Sequence, residues 1–302
     1  MIGGPISGSR AGAEAMEGAA LKGRSLWDDA RRRLFRNKAA VASMILLALL
    51  VLAAIVGPYL TAFPYDQINK ADTWAPPLVK GHLLGADPLG RDLLARLLIG
   101  LRVSLAVGVV ATTVSLVIGV LYGSISGYLG GRVDDLMMRI VEVLYSLPFI
   151  FFVILLMVAF GRNFILMFVA IGAVEWLTMA RIVRGQTLSL KQREFVEAAR
   201  AAGLKGSAIV LRHIVPNLLG PVVVYVTLTI PGVILAESFL SFLGMGVQEP
   251  LTSLGTLISQ GATQMDLAPW LLLFPALTMI VTLLAFNFIG DGLRDAFDPK
   301  DR

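Results

Sequence analysis

Residues 194–216 read EFVEAARAAGLKGSAIVLRHIVP, a polar and helix-forming segment between two long apolar runs. A connection that only reverses the chain between two helices needs about 5 residues. This segment instead has the length and the alanine content of two short helices, with Gly203 between them and Pro216 at the end. We call it the inner segment, and we predict that it is a structured protrusion from a membrane, suited to being held by another protein.

The composition places the rest of the chain in a lipid bilayer. Of its 302 residues, 56% are hydrophobic, and the mean hydropathy is +0.77, which is typical of a polytopic membrane protein. The net charge is +5, but the basic residues flank the apolar runs with few aromatics among them, which argues against nucleic-acid binding. The chain has no Cys and two distant His residues, so no metal site is predicted.

Six apolar stretches are each long enough to cross about 30 Å of hydrocarbon as a helix. The fifth is too long for a straight perpendicular helix and contains Pro221 and Pro231, so we expect it to be tilted or kinked. The predicted fold is an all-α membrane protein with six transmembrane helices, at approximately 39–60, 101–122, 140–160, 164–182, 214–243 and 268–289.

The distribution of Lys and Arg sets the predicted orientation. Most of the 26 basic residues lie before the first span, between spans two and three, in and around the inner segment, or after the last span. These parts are therefore predicted to be cytoplasmic, as are both termini. Residues 61–100 and 244–267 are then the two main extracytoplasmic loops.

The first extracytoplasmic loop ends in a leucine-rich stretch. It predicts a short amphipathic helix in which Asp92 pairs with Arg96, and whose apolar face consists of leucines at 93, 94, 97 and 98. Two interpretations are open: the helix lies on lipid, or it contacts an extracytoplasmic partner or a second subunit.

The chain carries no recognisable motif for nucleotide or catalytic chemistry. It lacks GxxxxGK[ST], HExxH and GxSxG, so no catalytic or cofactor-binding residue is predicted. Three acidic residues lie inside predicted spans, where a charge costs at least about 3 kcal/mol. Glu142 is expected to pair with Arg139. Glu175 and Glu237 either make polar contacts between helices or line a transport path.

The inner segment has a helical pattern of its own from Gln192 onwards. Glu197 is spaced to pair with Arg193 and with Arg200, Gly203 fits a helix C-cap, and a cap for the next helix is expected at Ser207. One face is apolar and mostly small, so a partner's backbone could approach it closely; it consists of Phe195, Val196, Ala198, Ala199 and Ala202. The alternative, a solvated connector, has no need of such a face.

These residues resemble the EAA loop of ABC importer permeases. Residues 197–203 read EAARAAG and Pro216 follows, against a usual form of EAA-x3-G-x9-I-x-L-P. The chain departs from that form with His213 and Val215, where Ile and Leu are usual. Longer stretches resemble the C-type permeases of oligopeptide importers, including GADPLGRDLLARLLIGLRVSL (85–105), YGSISGYLGGRVDDLMMRIVE (122–142), ARIVRGQTLSLKQREFVEAAR (180–200) and ESFLSFLGMGVQEP (237–250).

The resemblance implies a type I ABC importer permease fold in a bacterial inner membrane. Its partners would be a homologous B-type permease, two ABC ATPase subunits that use the ATP, an extracytoplasmic peptide-binding protein and a peptide substrate. The chain would then be no enzyme and would need no cofactor. The implied parts are cytoplasmic tails at 1–38 and 291–302, a first transmembrane helix at 39–60, an outer loop at 61–100, and a permease core at 101–290 with a coupling loop at 185–213.

The resemblance also suggests roles for individual residues. Coupling to the ATPase is expected at Arg193, Glu197, Ala198, Ala199, Arg200 and Gly203. Contact with the extracytoplasmic partner is expected at Asp87, Arg91 and Asp92. Glu175 stands where a small or uncharged residue is expected. The alternatives are a dipeptide or nickel permease of the same family and, in other classes, a secondary carrier or a membrane scaffold.

Overall fold

Helices form nearly all of the regular structure. The computed structural model describes residues 26–160 and 164–298, and over these ranges it has two isolated β-bridges and no strand. The α-helices, in chain order, are α1 (Leu26–Arg36), α2 (Lys38–Val56), α3 (Leu93–Leu129), α4 (Gly131–Ser146), α5 (Phe149–Phe160), α6 (Phe164–Leu190), α7 (Glu194–Ala201), α8 (Gly206–Ile209), α9 (Val215–Phe242), α10 (Leu254–Thr263) and α11 (Trp270–Phe297).

Four helical stretches in the described ranges are long and apolar enough to cross a membrane. They are Lys38–Tyr59, Leu93–Leu129, Gly206–Phe242 and Trp270–Phe297. The bent pair of α4 and α5 makes a fifth if it is one span. The predicted all-α membrane architecture is confirmed. The number of six spans stays a prediction, and the fourth of them, at 164–182, lies within α6.

The predicted third span, a single helix over 140–160, is wrong in detail. α4 ends at Ser146 and α5 begins at Phe149, and the two meet at an angle of 87°. Pro148 lacks an N–H and disfavours helical backbone at the preceding residue. Leu147 accordingly has extended backbone, with φ −76° and ψ 132°.

The predicted short helix of the first outer loop is also wrong, because α3 is continuous from Leu93. Asp92 is its N-cap, and the Asp92 Oδ2 accepts a hydrogen bond from the Ala95 backbone N at 2.8 Å. Leu93 and Leu97 are buried within the chain rather than turned towards lipid. The stretch is therefore the N-terminal part of α3.

α3 and α6 pack in backbone contact. Gly119, Gly123 and Gly127 lie on the face of α3 that meets α6. A Cβ on Gly123 would lie 2.9 Å from the Arg184 backbone N and closer still to the carbonyl oxygen of Ala180. Small residues at this spacing allow transmembrane helices to approach closely. The contact fixes the position of α6, which leads directly into the inner segment.

The chain enters α9 through an unusual turn. A π-helical turn over Val210–Ile214 joins α8 to α9, with Pro216 in the first turn of α9. Pro221 and Pro231 lie inside α9, as the sequence indicates. α9 then packs against α3, α6, α10 and α11.

Candidate functional site

The inner segment folds as two short helices joined by a tight turn, as predicted. Glu194 and Glu197 lie in the first turn of α7 and Arg200 lies in its last. This arrangement places charges favourably at both ends of the helix dipole. α8 is only four residues long and passes into the π-helical turn.

The turn after α7 is a Schellman motif centred on Gly203. This glycine has φ +77°, and its N–H donates to the Arg200 carbonyl at 2.9 Å. The N–H of Leu204 donates to the Ala199 carbonyl at 3.2 Å, which completes the motif. The predicted role of Gly203 at the helix end is confirmed. The predicted Ser207 cap is wrong, because Lys205 occupies the N-cap position of α8 without a side-chain hydrogen bond.

The apolar residues of α7 divide between two sides of the helix. Val196 and Ala199 are buried in a cluster formed with residues of α6, α8 and α9. Phe195, Ala198 and Ala202 are exposed. The single apolar face indicated by the sequence is therefore two faces: one anchors the helix to its own chain, and the other is open.

Glu197 forms neither of its predicted ion pairs in the described part of the chain. No salt bridge there joins it to Arg193 or to Arg200. The Arg200 guanidinium lies instead over the ring of Tyr128, at 5.2 Å from the ring centroid. The carboxylate of Glu197 is exposed on the open side of α7, beside Ala198.

A partly buried ion pair near the inner segment was not predicted from the sequence. Arg184 of α6 donates from Nε and Nη2 to the two carboxylate oxygens of Asp134 in α4, each at 2.6 Å. Ser126 of α3 donates to the same carboxylate. The residues are far apart in the chain, and helical periodicity does not indicate which charges meet across helices. By contrast, the predicted local pair of Arg139 and Glu142 is present at 3.6 Å.

The three residues predicted to contact an extracytoplasmic partner are buried inside this chain. Asp87, Arg91 and Asp92 are each less than a tenth exposed. Arg91 Nε donates to Asp87 Oδ2 at 2.6 Å, and Asp92 Oδ1 lies 2.8 Å from His82 Nδ1. The predicted i,i+4 pair of Asp92 with Arg96 is wrong. Intrachain pairs thus occupy these side chains.

Arg91 also connects the two loops that are predicted to be extracytoplasmic. Its Nη2 donates to Glu249 Oε1 at 3.1 Å. The neighbouring Arg96 is fully buried and donates to Gln260 Oε1 at 3.0 Å. The hydrogen bond from Arg91 holds the pKa of the Glu249 carboxyl below its ordinary value.

We expect a Glu249→Gln variant to lower the free energy of unfolding by at most about 1 kcal/mol at neutral pH, because the pair is partly exposed. A lowered folded-state pKa contributes stability above the ordinary pKa, and this contribution is lost as the pH falls through the lowered value. Thermal unfolding of the purified chain should therefore show a difference from the parent at neutral pH that vanishes in acid. Asp266→Asn, on an exposed outer residue, is the control. A difference of constant size across the pH range would contradict the assignment.

Glu237 is fully buried and hydrogen-bonded between helices. Ser241 Oγ donates to its Oε1 at 2.6 Å, and Ser104 Oγ of α3 donates to its Oε2 at 3.3 Å. Ser104 Oγ in turn accepts from the N–H of Leu254 at the start of α10. Glu237 thus makes polar contacts between helices, which is the first of the two interpretations given for it from the sequence. Glu175 is partly exposed and has no hydrogen bond or ion pair to any residue that the structure describes, so both interpretations of it stay open.

Comparison with known proteins gives matches over most of the chain. Residues 119–302 match the family described as binding-protein-dependent transport system inner membrane component, and residues 25–77 match the N-terminal TM domain of oligopeptide transport permease C.

Individual relatives are similar over nearly their whole length. The oligopeptide transport system permease protein OppC of Escherichia coli (strain K12) is 62% identical over 283 residues, covering 93% of this chain and 94% of the relative. The protein of the same name from Haemophilus influenzae is 57% identical over 291 residues, covering 96% and 94%. The dipeptide transport system permease protein DppC of Bacillus subtilis is 45% identical over 279 residues, covering 92% and 87%.

Proposed function

The chain belongs to the family of binding-protein-dependent inner membrane transport components, as a C-type permease of oligopeptide ABC importers, and from this membership we propose that its inner segment couples it to ATP hydrolysis in partner subunits. It is a multi-pass permease subunit of the inner membrane. The oligopeptide relatives named above are 57–62% identical to it and the dipeptide relative is 45% identical. Oligopeptides are therefore the substrate class that we assign.

One observation carries the coupling proposal: the inner segment presents an exposed helix edge on a rigid support. Val196 and Ala199 anchor α7 to its own chain, while Glu197 and Ala198 face outward. The sequence contains no Walker A motif, which agrees with ATP hydrolysis taking place in another chain. A small residue beside a free carboxylate lets a partner's backbone approach and gives it a charge to bind.

The proposed cycle needs three kinds of partner protein. A homologous B-type permease supplies the other half of the path, two ATPases bind the inner segments, and a peptide-binding protein delivers the peptide outside. Both termini of this chain face the cytoplasm. ATP closes the ATPase pair and draws the two inner segments together, which opens the path outward; hydrolysis resets it. A shift between conformations from 1:99 to 99:1 takes about 5.5 kcal/mol of differential binding. The partners use the ATP, so this chain binds no cofactor and catalyses no reaction.

The test is a Glu197→Lys variant in the complete importer, reconstituted in proteoliposomes. Like charges brought together at an interface cost several kcal/mol, so ATP-driven uptake of a labelled peptide should fall about tenfold or more. Asp295→Lys makes the same charge reversal on an exposed residue of α11, outside α7 and α8, and should transport like the parent. Normal uptake by the Glu197 variant would refute the coupling assignment.

A further inference from the structure

We infer that Asp134 and Arg184 form a rigid joint, which makes the inner segment, α3, α4 and α6 move as one body during transport. The inference rests on the proposed coupling function of the inner segment and adds two positioning residues to it. Neither residue lies on the exposed edge of α7. Both act on the transport path through the helices that they connect.

The first support is the geometry of the ion pair itself. Two parallel hydrogen bonds of 2.6 Å from one guanidinium to one carboxylate fix the relative orientation of α6 and α4 as well as their distance. Asp134 is 5% exposed, and a buried carboxylate is strongly destabilised if its partner leaves. The hydrogen bond from Ser126 adds α3 to the same carboxylate. Asp134 of α4 is therefore bonded to both α3 and α6. Moving either helix away would break a hydrogen bond to its buried carboxylate.

The second support is the lack of free space between α3 and α6 at this level. A Cβ on Gly127 would lie 2.9 Å from the Arg184 carbonyl oxygen and 2.8 Å from Thr187 Cβ. Lys191, just after α6, donates from Nζ to the Gly127 carbonyl at 2.8 Å. Close-packed backbones transmit a displacement rather than absorb it. α6 cannot slide along α3 without breaking these contacts.

The third support is the contact of α3 with both helices of the inner segment. The ring of Tyr128 lies under the Arg200 guanidinium of α7. The same ring would lie 3.0 Å from a Cβ on Gly206, the first residue of α8. A force applied to α7 is therefore delivered to the end of α3, at a residue two positions from Ser126. α4 itself ends further on, at Leu147 and Pro148, where it meets α5 at 87°.

Losing a rigid joint and losing an ordinary stabilising ion pair would have different effects on transport. If the pair only stabilised the fold, molecules that fold without it would transport normally. If it is a joint, folded molecules without it would still bind the ATPases and hydrolyse ATP, but would move fewer peptides for each ATP. The readout is therefore the ratio of peptide transported to ATP hydrolysed, together with a distance across the joint.

The experiment uses the complete importer with an Asp134→Asn variant of this chain, and Asp135→Asn, on the exposed neighbour, as the matched control. Residues that couple distant sites typically change the coupling by 0.5 to 2 kcal/mol, so we expect the ratio to fall about 2- to 30-fold in Asp134→Asn. Asp135→Asn should keep the parental ratio. Arg184→Lys, which keeps the charge but not the two-point contact, should lower the ratio as well and serves if Asp134→Asn fails to fold.

The distance measurement takes advantage of the absence of cysteine from the chain. Spin labels at Val133→Cys in α4 and Gln192→Cys just after α6, both exposed positions, span the joint. We expect the distance between them to be the same with and without ATP in the parent, and to become broad and nucleotide-dependent in Asp134→Asn. A distance that changes with ATP in the parent would overturn the rigid joint. The rigid joint would also be overturned if Asp134→Asn and Arg184→Lys both gave the same ratio of peptide transported to ATP hydrolysed as Asp135→Asn.

The two proposals can fail separately. Normal uptake by Glu197→Lys would remove the coupling function itself, whatever the Asp134 variant does. Reduced uptake by Glu197→Lys with a parental ratio in Asp134→Asn and Arg184→Lys would leave the coupling function in place and remove only the joint.

Discussion

A Gly123→Leu variant is expected to be inserted without reaching the native helix packing. The side chain would start at a Cβ in contact with backbone atoms of Ala180 and Arg184, so no change of rotamer can relieve the overlap. α3 and α6 would have to separate, and the contacts at Gly119 and Gly127 would open with them. Overpacking usually costs 1–3 kcal/mol and occasionally more, and an overlap with backbone belongs at the upper end of that range.

The measurement is the yield of monodisperse chain after extraction in mild detergent, followed by its thermal unfolding. Gly232→Leu is the matched control, because a Cβ on Gly232 of α9 would meet nothing within 4 Å. Gly123→Ala should fall between the two, since it adds the Cβ alone. If the Gly123 and Gly232 leucine variants gave equal yield and equal unfolding temperature, the backbone contact of α3 with α6 would not be what holds this part of the fold.

A Gly203→Val variant is expected to fold and insert but to lose most of its peptide uptake. The φ of +77° at this position is unfavourable by about 1–2 kcal/mol for an L-residue and more so for a β-branched one. The Schellman turn would be replaced by another conformation, and the direction in which α7 projects would change. A Cβ here meets nothing within 4 Å, so the cause is backbone conformation and not bulk inside this chain.

A Gly203→Asn variant separates the effect of backbone conformation from that of side-chain bulk. Asparagine tolerates left-handed backbone while adding a side chain of similar size to valine. We expect Asn to retain most of the parental uptake in proteoliposomes and Val to retain little of it. Equal uptake by the Val, Asn and Gly forms would show that the turn does not orient the inner segment.

The parts of the structure that were predictable from the sequence are those set by local pattern. Apolar runs of about 20 residues indicate helices that cross a bilayer, and the glycine at 203 ends α7 where the pattern places it. The glycines at 119, 123 and 127 were also visible in the sequence, and their spacing of four is the signal that could have predicted close packing of α3.

The parts that were not predictable are set by partners distant in sequence. Arg91 meets Glu249 and Arg184 meets Asp134 across 158 and 50 residues, and a single sequence gives no means of choosing these charges among the others. The single apolar face predicted for α7 is two faces for a related reason. A helix of eight residues is marginal without tertiary packing, and Val196 and Ala199 supply that packing on their own chain.

The π-helical turn over Val210–Ile214 affects how far α9 is rotated relative to α8 around the helix axis. Successive side chains of an α-helix are rotated by about 100° around its axis, and a π-turn accommodates one extra residue within that progression. The extra residue shifts the rotational phase of α9 relative to α8, although the helical rod is continuous through both. The rotational position of α8 relative to α9 thus depends on one residue. A one-residue deletion in this turn is expected to rotate α8 around the helix axis by about 100° and to shorten the connection by only about 1.5 Å.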